Sequence, residues 1–283
     1  MSADKKHYFV IVNYNSGENI IHCLDSIFYS KNIIPRIVVV DNASRDTSLE
    51  NCKKRFPKAT YIYNTHNTGF AAGANIGLRW ALERGADTIT LCNPDVILNE
   101  NCAQTLTHTI CSKQADIVSP IIYSPDSDIW FSGGKISFLK MHATHTTRPL
   151  SKINCKTDYI SGCVMTVSPK VFEKIGLFDE NFFLYYEDAD FSLRAKKAGF
   201  KLCVNPRAKA IHKEISEQNK EQKTYFLVFS GLLFFKKHTH GLFKLWFYVH
   251  LTLRKIKNYF DRKKQKYLSL QVYNAYKDYD SKR

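Results

Sequence analysis

Acidic residues are in short supply in this chain. Only 26 Asp and Glu stand against 41 Lys and Arg in 283 residues, so the formal net charge is +15. The sequence has no CxxC pair, no GxGxxG fingerprint, no internal repeat and no run of about 20 apolar residues. The missing run excludes a membrane-spanning helix, since the longest candidate, Tyr225–Phe235, is too short. Met1–His7 is polar and predicts no secretory signal. Without CxxC spacing, the eight cysteines (23, 52, 92, 102, 111, 155, 163 and 203) are expected to be buried thiols in a reducing cytosol. Nor is the chain disordered or collagen-like, because 44% of it is hydrophobic and 13% aromatic. The surplus of positive charge points to a polyanionic partner: nucleic acid, an anionic membrane or a phosphorylated ligand.

Strand and helix signals alternate through the first hundred residues. Strands are expected at Tyr8–Val12, Arg36–Val40, Thr60–Tyr63 and Thr88–Cys92, and helices at Asn19–Tyr29, Ser44–Phe56 and Ala71–Arg84. This order predicts an α/β fold with a mostly parallel sheet and flanking helices. Ligands of such sheets bind beyond the carboxyl ends of the strands. Asn13, Asp41, Asn67 and Asp95 sit at or just after those ends. Beyond Ser119, strands are expected at Ile129–Ile136, Tyr159–Val167 and Lys201–Pro206, helices at Ser168–Ile175 and Asp188–Ala198, and a mobile loop over Phe138–Cys155. From Glu217 onward the chain reads as helical and basic.

Several short motifs bear chemistry, and each has a plainer structural reading. Asp41-Asn42 offers hydrogen-bond acceptors to a nucleobase or ribose, or merely caps a helix. The stretch Asn67-Thr68-Gly69-Phe70-Ala71-Ala72-Gly73-Ala74-Asn75 permits close approach of a phosphate to a helix N-terminus, or makes a tight turn. In Asn93-Pro94-Asp95 a strand-end carboxylate suits Mg²⁺ or Mn²⁺, although the triplet is also a good turn. Glu187-Asp188-Ala189-Asp190 follows the aromatic run Phe182–Tyr186. A carboxylate among aromatic walls is a candidate base with raised proton affinity. Asp190 and Arg194 are spaced as a surface helix pair. His212 becomes a ligand only beside a metal.

Taken in order, these stretches resemble one family. The set is Val12-Asn13-Tyr14-Asn15, Val39 through Asp46, Asn67-x-Gly69-Phe70-Ala71-x-Gly73-x-Asn75-x-Gly77, Asn93-Pro94-Asp95, Ser161 through Met165, and Phe183-Leu184-Tyr185-Tyr186-Glu187-Asp188-x-Asp190. It resembles the family-2 glycosyltransferases of GT-A fold, in particular the rhamnosyltransferase-like bacterial branch, over about Tyr8 to His212. The resemblance implies inverting transfer of a sugar from a nucleotide-sugar donor, such as dTDP-rhamnose or a UDP-sugar, to a hydroxyl. The acceptor would be a glycan or a lipid-diphosphate-linked glycan of cell-surface polysaccharide synthesis. Mg²⁺ or Mn²⁺ would assist. By position, Asn13, Asp41, Asn42, Asn67, Gly69, Asn75 and Asn93 would line the nucleotide-sugar site. Asp95 and His212 would hold the metal, Asp188 would be the base with Glu187 beside it, and Trp130, Gly133, Gly134, Gly162 and Cys163 would shape the acceptor side. The division expected is a catalytic domain over 7–215, its nucleotide-sugar half 7–125 and acceptor half 126–215, followed by a helical region over 216–283.

That last region holds 13 Lys and Arg against three Asp after Phe235. Wound as a helix, Leu242, Leu245, Trp246, Val249, Leu253, Ile256 and Phe260 share one face. An amphipathic basic helix of this kind suits an anionic bilayer surface and predicts a cytoplasmic, membrane-peripheral protein. The alternative is a helix packed on the catalytic domain with a solvated basic face. Nucleic acid is not the expected partner, because no nucleic-acid module motif is present. A non-catalytic nucleotide-sugar binder at the membrane is the competing class.

Overall fold

The structure is a computed structural model describing residues 5–213 and 219–281. The division expected at 215/216 lies outside the described residues, as does Glu217. The first half alternates as the hydrophobic spacing predicts: β1 (His7–Asn13), α1 (Asn19–Phe28), β2 (Pro35–Asp41), α2 (Ser48–Arg55), β3 (Thr60–Tyr63), α3 (Phe70–Glu83) and β4 (Thr88–Cys92). There follow β5 (Val96–Leu98), α4 (Cys102–Cys111), β6 (Ile117–Tyr123), β7 (Ile129–Phe131), β8 (Gly134–Ser137), β9 (His142–His145), β10 (Val164–Val167), α5 (Pro169–Ile175), α6 (Glu187–Lys197) and β11 (Leu202–His212). Three helices close the chain: α7 (Lys220–His238), α8 (Gly241–Lys263) and α9 (Ser269–Ser281).

The central sheet runs β3-β2-β1-β4-β10-β6-β11-β5, with β7 on β6. Strands β3, β2, β1, β4, β6 and β11 point one way, and β10, β5 and β7 point against them. The expected α/β fold with a mostly parallel sheet is therefore present, with an antiparallel strand at its centre. Strand β1 and residues 37–41 of β2 are wholly buried, as strands covered by helices on both faces must be. Helix α1 buries Ile20, Cys23, Leu24 and Ile27, the stripe its spacing predicts. Each such side chain contributes about 1.5–3 kcal/mol on burial. Helix α3 lies unusually close to β1, because at Gly77 a Cβ would fall 2.5 Å from Val10 Cγ1.

The second half departs from expectation in three places. The loop expected over Phe138–Cys155 contains β9, which pairs antiparallel with β8, and the Trp246 indole N–H donates to Leu139 O at 2.8 Å. Those four residues, His142–His145, carry no apolar alternation to announce a strand. The strands expected at Ile129–Ile136 and Tyr159–Val167 are shorter. The first breaks at Gly133, whose φ is +135°, and the second survives only as β10. Finally, the expectation of eight thiols is corrected: Cys155 and Cys203 form a disulfide that ties the 146–158 loop to β11. They are 48 residues apart in sequence, so no local spacing signals the pair.

Candidate active site

The carboxyl ends of β1, β2 and β4 lie on the same edge of the sheet, since the three strands run parallel. Asn13 and Asp41 are register partners at the ends of β1 and β2. The Asn13 amide donates to Asp41 Oδ1 at 2.8 Å, and Ser44 N–H donates to Asp41 Oδ2 at 3.1 Å. Asn42, fully buried, stitches the next loop in place. Its amide donates to Asn67 Oδ1 and Gly69 O, and its oxygen accepts from Asn64 and from Thr68. Gly69 caps α3 with φ +85°, and a Cβ there would lie 2.5 Å from Phe183 O. Only glycine combines that backbone with that approach. Asn75 does something else: buried, it brackets the backbone of Phe178 at both its N–H and its carbonyl and also donates to Glu180. It locks α3 to the segment before α6 and does not face the cleft.

Beyond these strand ends opens a cavity of about 410 Å³, lined by Phe70, Asn93, Asp95, Trp130, Gly162, Cys163, Glu187, Asp188 and His212 among others. Thus eight of the site residues singled out in sequence (Asn93, Asp95, Trp130, Gly162, Cys163, Glu187, Asp188 and His212) line one cavity. Gly133 and Gly134 do not reach it. They are buried behind it against Thr157 and Tyr159. Asn93 enters through its backbone, donating N–H to Cys163 O at 2.9 Å.

Asp95 follows β4 and His212 ends β11. Asp95 Oδ1 lies 3.2 Å from His212 Nε2 without hydrogen-bond alignment. Among the described residues that oxygen and His212 Nδ1 have no hydrogen-bond partner, although both are buried. A buried orphan carboxylate oxygen beside an imidazole is costly unless a cation or donor occupies the gap. Burial lowers the proton affinity of His212, but the Cys163 sulfur and the Asp95 carboxylate outweigh it and raise it. Trp130 packs edge-on against His212 at 4.6 Å and against His145 at 4.3 Å. Asp95 and His212 fit a hard divalent cation whose remaining ligands come from a phosphate, because such ions need only one or two protein carboxylates. No group of three or more metal-ligating side chains occurs among the described residues.

Opposite stand Glu187 and Asp188, in the first turn of α6. Tyr185 and Tyr186 precede them, both in the left-handed region with φ +67° and +66°. That strained pair turns the chain so that α6 starts at the cavity wall. Asp188 Oδ2 accepts from Gly162 N–H at 2.9 Å and Oδ1 from Ala189 N–H at 2.7 Å. Burial raises the proton affinity of Asp188, and those N–H groups pull it part-way back. Burial pushes Glu187 well above the usual carboxylate range, and the Asp188 charge adds to it. Glu187 Oε2 has no hydrogen-bond partner among the described residues. So of the two, Asp188 has the backbone donors that stabilise an anion, and burial disfavours the charged form of Glu187 more.

The sequence model described as glycosyl transferase family 2 matches residues 8–176. The chain belongs to that family. This family-2 chain is 28% identical over 228 residues to the low-salt glycan biosynthesis hexosyltransferase Agl10 of Haloferax volcanii, covering 76% of this chain and 70% of that protein. It is 28% identical over 206 residues to the dTDP-rhamnosyl transferase RfbF of Shigella flexneri, covering 72% and 68%. Its fold matches the crystal structure of GalNAc-T7 with UDP, GalNAc and Mn²⁺ at a TM-score of 0.63 and 15% identity, covering 82% of this chain. S. aureus TarS 1–349 matches at 0.56 and 15% identity, covering 81%. The chain spans 51% of the first structure and 65% of the second. The expected fold is confirmed by both.

Sequence reasoning missed His145, Tyr159, Tyr185, Lys223 and Leu227, which also line this cavity or the cleft beside it. Only Tyr185 had a signal, its place in the aromatic run before Glu187. Asp190 was read as half of a surface pair. The Arg194 pair forms, at 2.7 Å, but Asp190 is 0% exposed. Its carboxylate also takes Lys237 at 2.6 Å and His238 Nε2 at 2.7 Å, both from α7.

Proposed function

We propose that the protein is an inverting glycosyltransferase that moves a hexosyl group from a nucleotide-sugar donor to a hydroxyl of a glycan or lipid-diphosphate-linked glycan. The observation that carries this is a single cavity with Asp188, anchored by Gly162 N–H, on one wall and the orphaned Asp95 and His212 on another. The dTDP-rhamnosyl transferase and the glycan-biosynthesis hexosyltransferase among its relatives support dTDP-rhamnose or another nucleotide-activated hexose as donor and glycan biosynthesis as the setting.

Each residue has a step. The loops after β1, β2 and β3, which Asn13, Asp41 and Asn42 brace from within, would hold the nucleotide, with Asn67 and Gly69 at the start of α3. Asp95 and His212 would hold Mg²⁺ or Mn²⁺, which when bound would supply positive charge to the leaving diphosphate. The acceptor hydroxyl attacks the anomeric carbon as the bond from that carbon to the diphosphate oxygen breaks. Its proton passes to Asp188, whose raised proton affinity suits a base working near neutrality. One displacement inverts the anomeric centre.

A thermal-shift screen of UDP, dTDP and their sugars, with and without Mn²⁺, tests the reading. Stabilisation by at least one nucleotide that requires Mn²⁺ and is lost in Asp95→Ala is expected. No response to any nucleotide, together with no sugar transfer, would remove it.

A further inference from the structure

Helices α7 and α8 and strand β9 enclose a second cavity, of about 190 Å³. It adjoins the cleft of about 370 Å³ where Asp188 lies, sharing Ala143, Tyr186 and Leu227 with it. Its ionisable lining has one character. His142 from β9 and His250 and Arg254 from α8 border it, and no Asp or Glu does. Burial lowers the proton affinity of His250, and the charges of Arg254 and His142 lower it further. The remaining walls are mainly apolar, among them Val228, Leu232, Phe247 and Leu251. A guanidinium, hydrogen-bonded to Tyr276 on the same wall, and two imidazoles gathered without a carboxylate in largely apolar walls offer donors to an anion.

The position of α8 gives that anion its carrier. The inner side of the helix, Phe247, His250, Leu251 and Arg254, borders the cavity. Its opposite side exposes Leu242, Leu245, Val249, Leu253, Ile256 and Phe260, between 43% and 85% exposed. A helix is about 10–12 Å across with its side chains. A helix resting on a bilayer by that outer side would hold the cavity at headgroup level, the depth at which a lipid diphosphate carries its phosphates.

We propose that this cavity is the acceptor's phosphate subsite: His142, His250 and Arg254 hold a phosphate of a glycan carried on an isoprenoid-type lipid diphosphate. The first sugar then reaches forward to Asp188, and the hydrocarbon chain leaves toward the bilayer under α8. The inference rests on the glycosyltransferase reading and deepens it.

Calorimetry on the full chain in EDTA, with farnesyl diphosphate as probe, tests it. Farnesyl diphosphate is expected to bind, inorganic pyrophosphate at least tenfold more weakly, and farnesol without dependence on the basic residues. His250→Gln and Arg254→Gln should each weaken farnesyl diphosphate binding about tenfold or more, the effect of losing a hydrogen bond to a charged group. Arg262→Gln on the same helix, outside the cavity, should leave it unchanged. Should Arg254→Gln fold poorly by circular dichroism, His142→Gln takes its place. Equal affinity for pyrophosphate and farnesyl diphosphate overturns the lipid carrier, and unchanged affinity in the cavity variants overturns the site. UDP and dTDP binding with Mn²⁺ is measured on the same wild-type protein. Nucleotide binding without any farnesyl diphosphate binding sinks this inference alone. Farnesyl diphosphate binding that depends on Arg254, without nucleotide binding, supports the phosphate site and removes the glycosyltransferase reading instead.

Discussion

As the proposed base, Asp188 would be needed only when the acceptor hydroxyl attacks. Asp188→Asn keeps the size and the capping oxygen and removes the proton acceptor. General-base catalysis contributes about 10²–10⁴-fold, so transfer should fall by that range while calorimetric donor affinity stays near wild type. Near-normal transfer would reject the assignment. Because burial raises the proton affinity of Asp188, the acidic limb of kcat/KM should lie above the ordinary Asp value of 3.8. The groups that set it are Glu187 beside it, the phenol of Tyr159, and the N–H groups of Gly162 and Ala189. A pH–rate profile in which the residual activity of Asp188→Asn keeps the same limb would show that another group titrates. Asp95 and Asp188 stood out in sequence because a strand end and a helix start make polar residues conspicuous against apolar runs, whereas His212 entered only through the resemblance; the structure brings all three to one cavity. Asn75 was not. Its partners, Phe178 and Glu180, are over 100 residues away, so a bracket and a ligand look alike in one dimension.

At the scale of elements, Asp190 joins α6 to α7. Arg194 meets it from its own helix and donates onward to Ile175 O and Leu177 O, while Lys237 and His238 reach it from α7. A local spacing rule found the Arg194 pair and no more, since burial is decided by a helix whose sequence lies nearly fifty residues on. Asp190→Asn leaves three basic groups facing a neutral amide. Removing one partner from a buried ion pair costs about 3–5 kcal/mol, far more than a surface pair. Urea denaturation should show that loss, and a change below about 1 kcal/mol would mean the cations relax to water. Hydrogen bonds from His238 and Lys237 and the Arg194 charge overcome burial and hold Asp190 down at about 2. A depressed carboxylate stabilises the fold above its unfolded value of 3.8 and loses that contribution as pH falls toward 2. Wild type should therefore lose stability across that window more steeply than Asp190→Asn. Gly69→Ala tests the turn that sets the cleft. A Cβ at φ +85° meeting Phe183 O at 2.5 Å must move one backbone or the other. Strained backbone costs about 1–3 kcal/mol, and a melting temperature within error of wild type would show the loop adapts.

For the molecule as a whole, the open question in the sequence was whether α8 packs on the domain or lies on a membrane; the structure shows one side of the helix packed and the other exposed and apolar. Phe247 and Leu251 are buried beneath it, while Leu242, Leu245, Val249, Leu253, Ile256 and Phe260 remain exposed. The periodicity located the outer stripe correctly. It did not reveal that α7, α8 and α9 pack together, with the Lys255–Asp280 ion pair and the Tyr225–Asp278 hydrogen bond tying them. No described helix is long and apolar enough to cross a bilayer. Deleting the chain beyond Phe235 would therefore confuse the two roles, because it strips cover from the buried Phe234 and Phe235. The triple variant Leu245→Glu, Val249→Glu, Leu253→Glu changes only exposed positions. Its melting temperature should stay close to wild type. Its pelleting with anionic vesicles should fall at least 100-fold, since each apolar side chain contributes up to about 1.5–3 kcal/mol when buried and each basic residue near the surface about 1 kcal/mol that the new acids oppose. Wild-type binding should weaken but persist in 0.5 M salt, because screening removes the charge term and leaves the apolar one. Equal pelleting of wild type and variant would mean that the outer stripe of α8 meets something other than lipid.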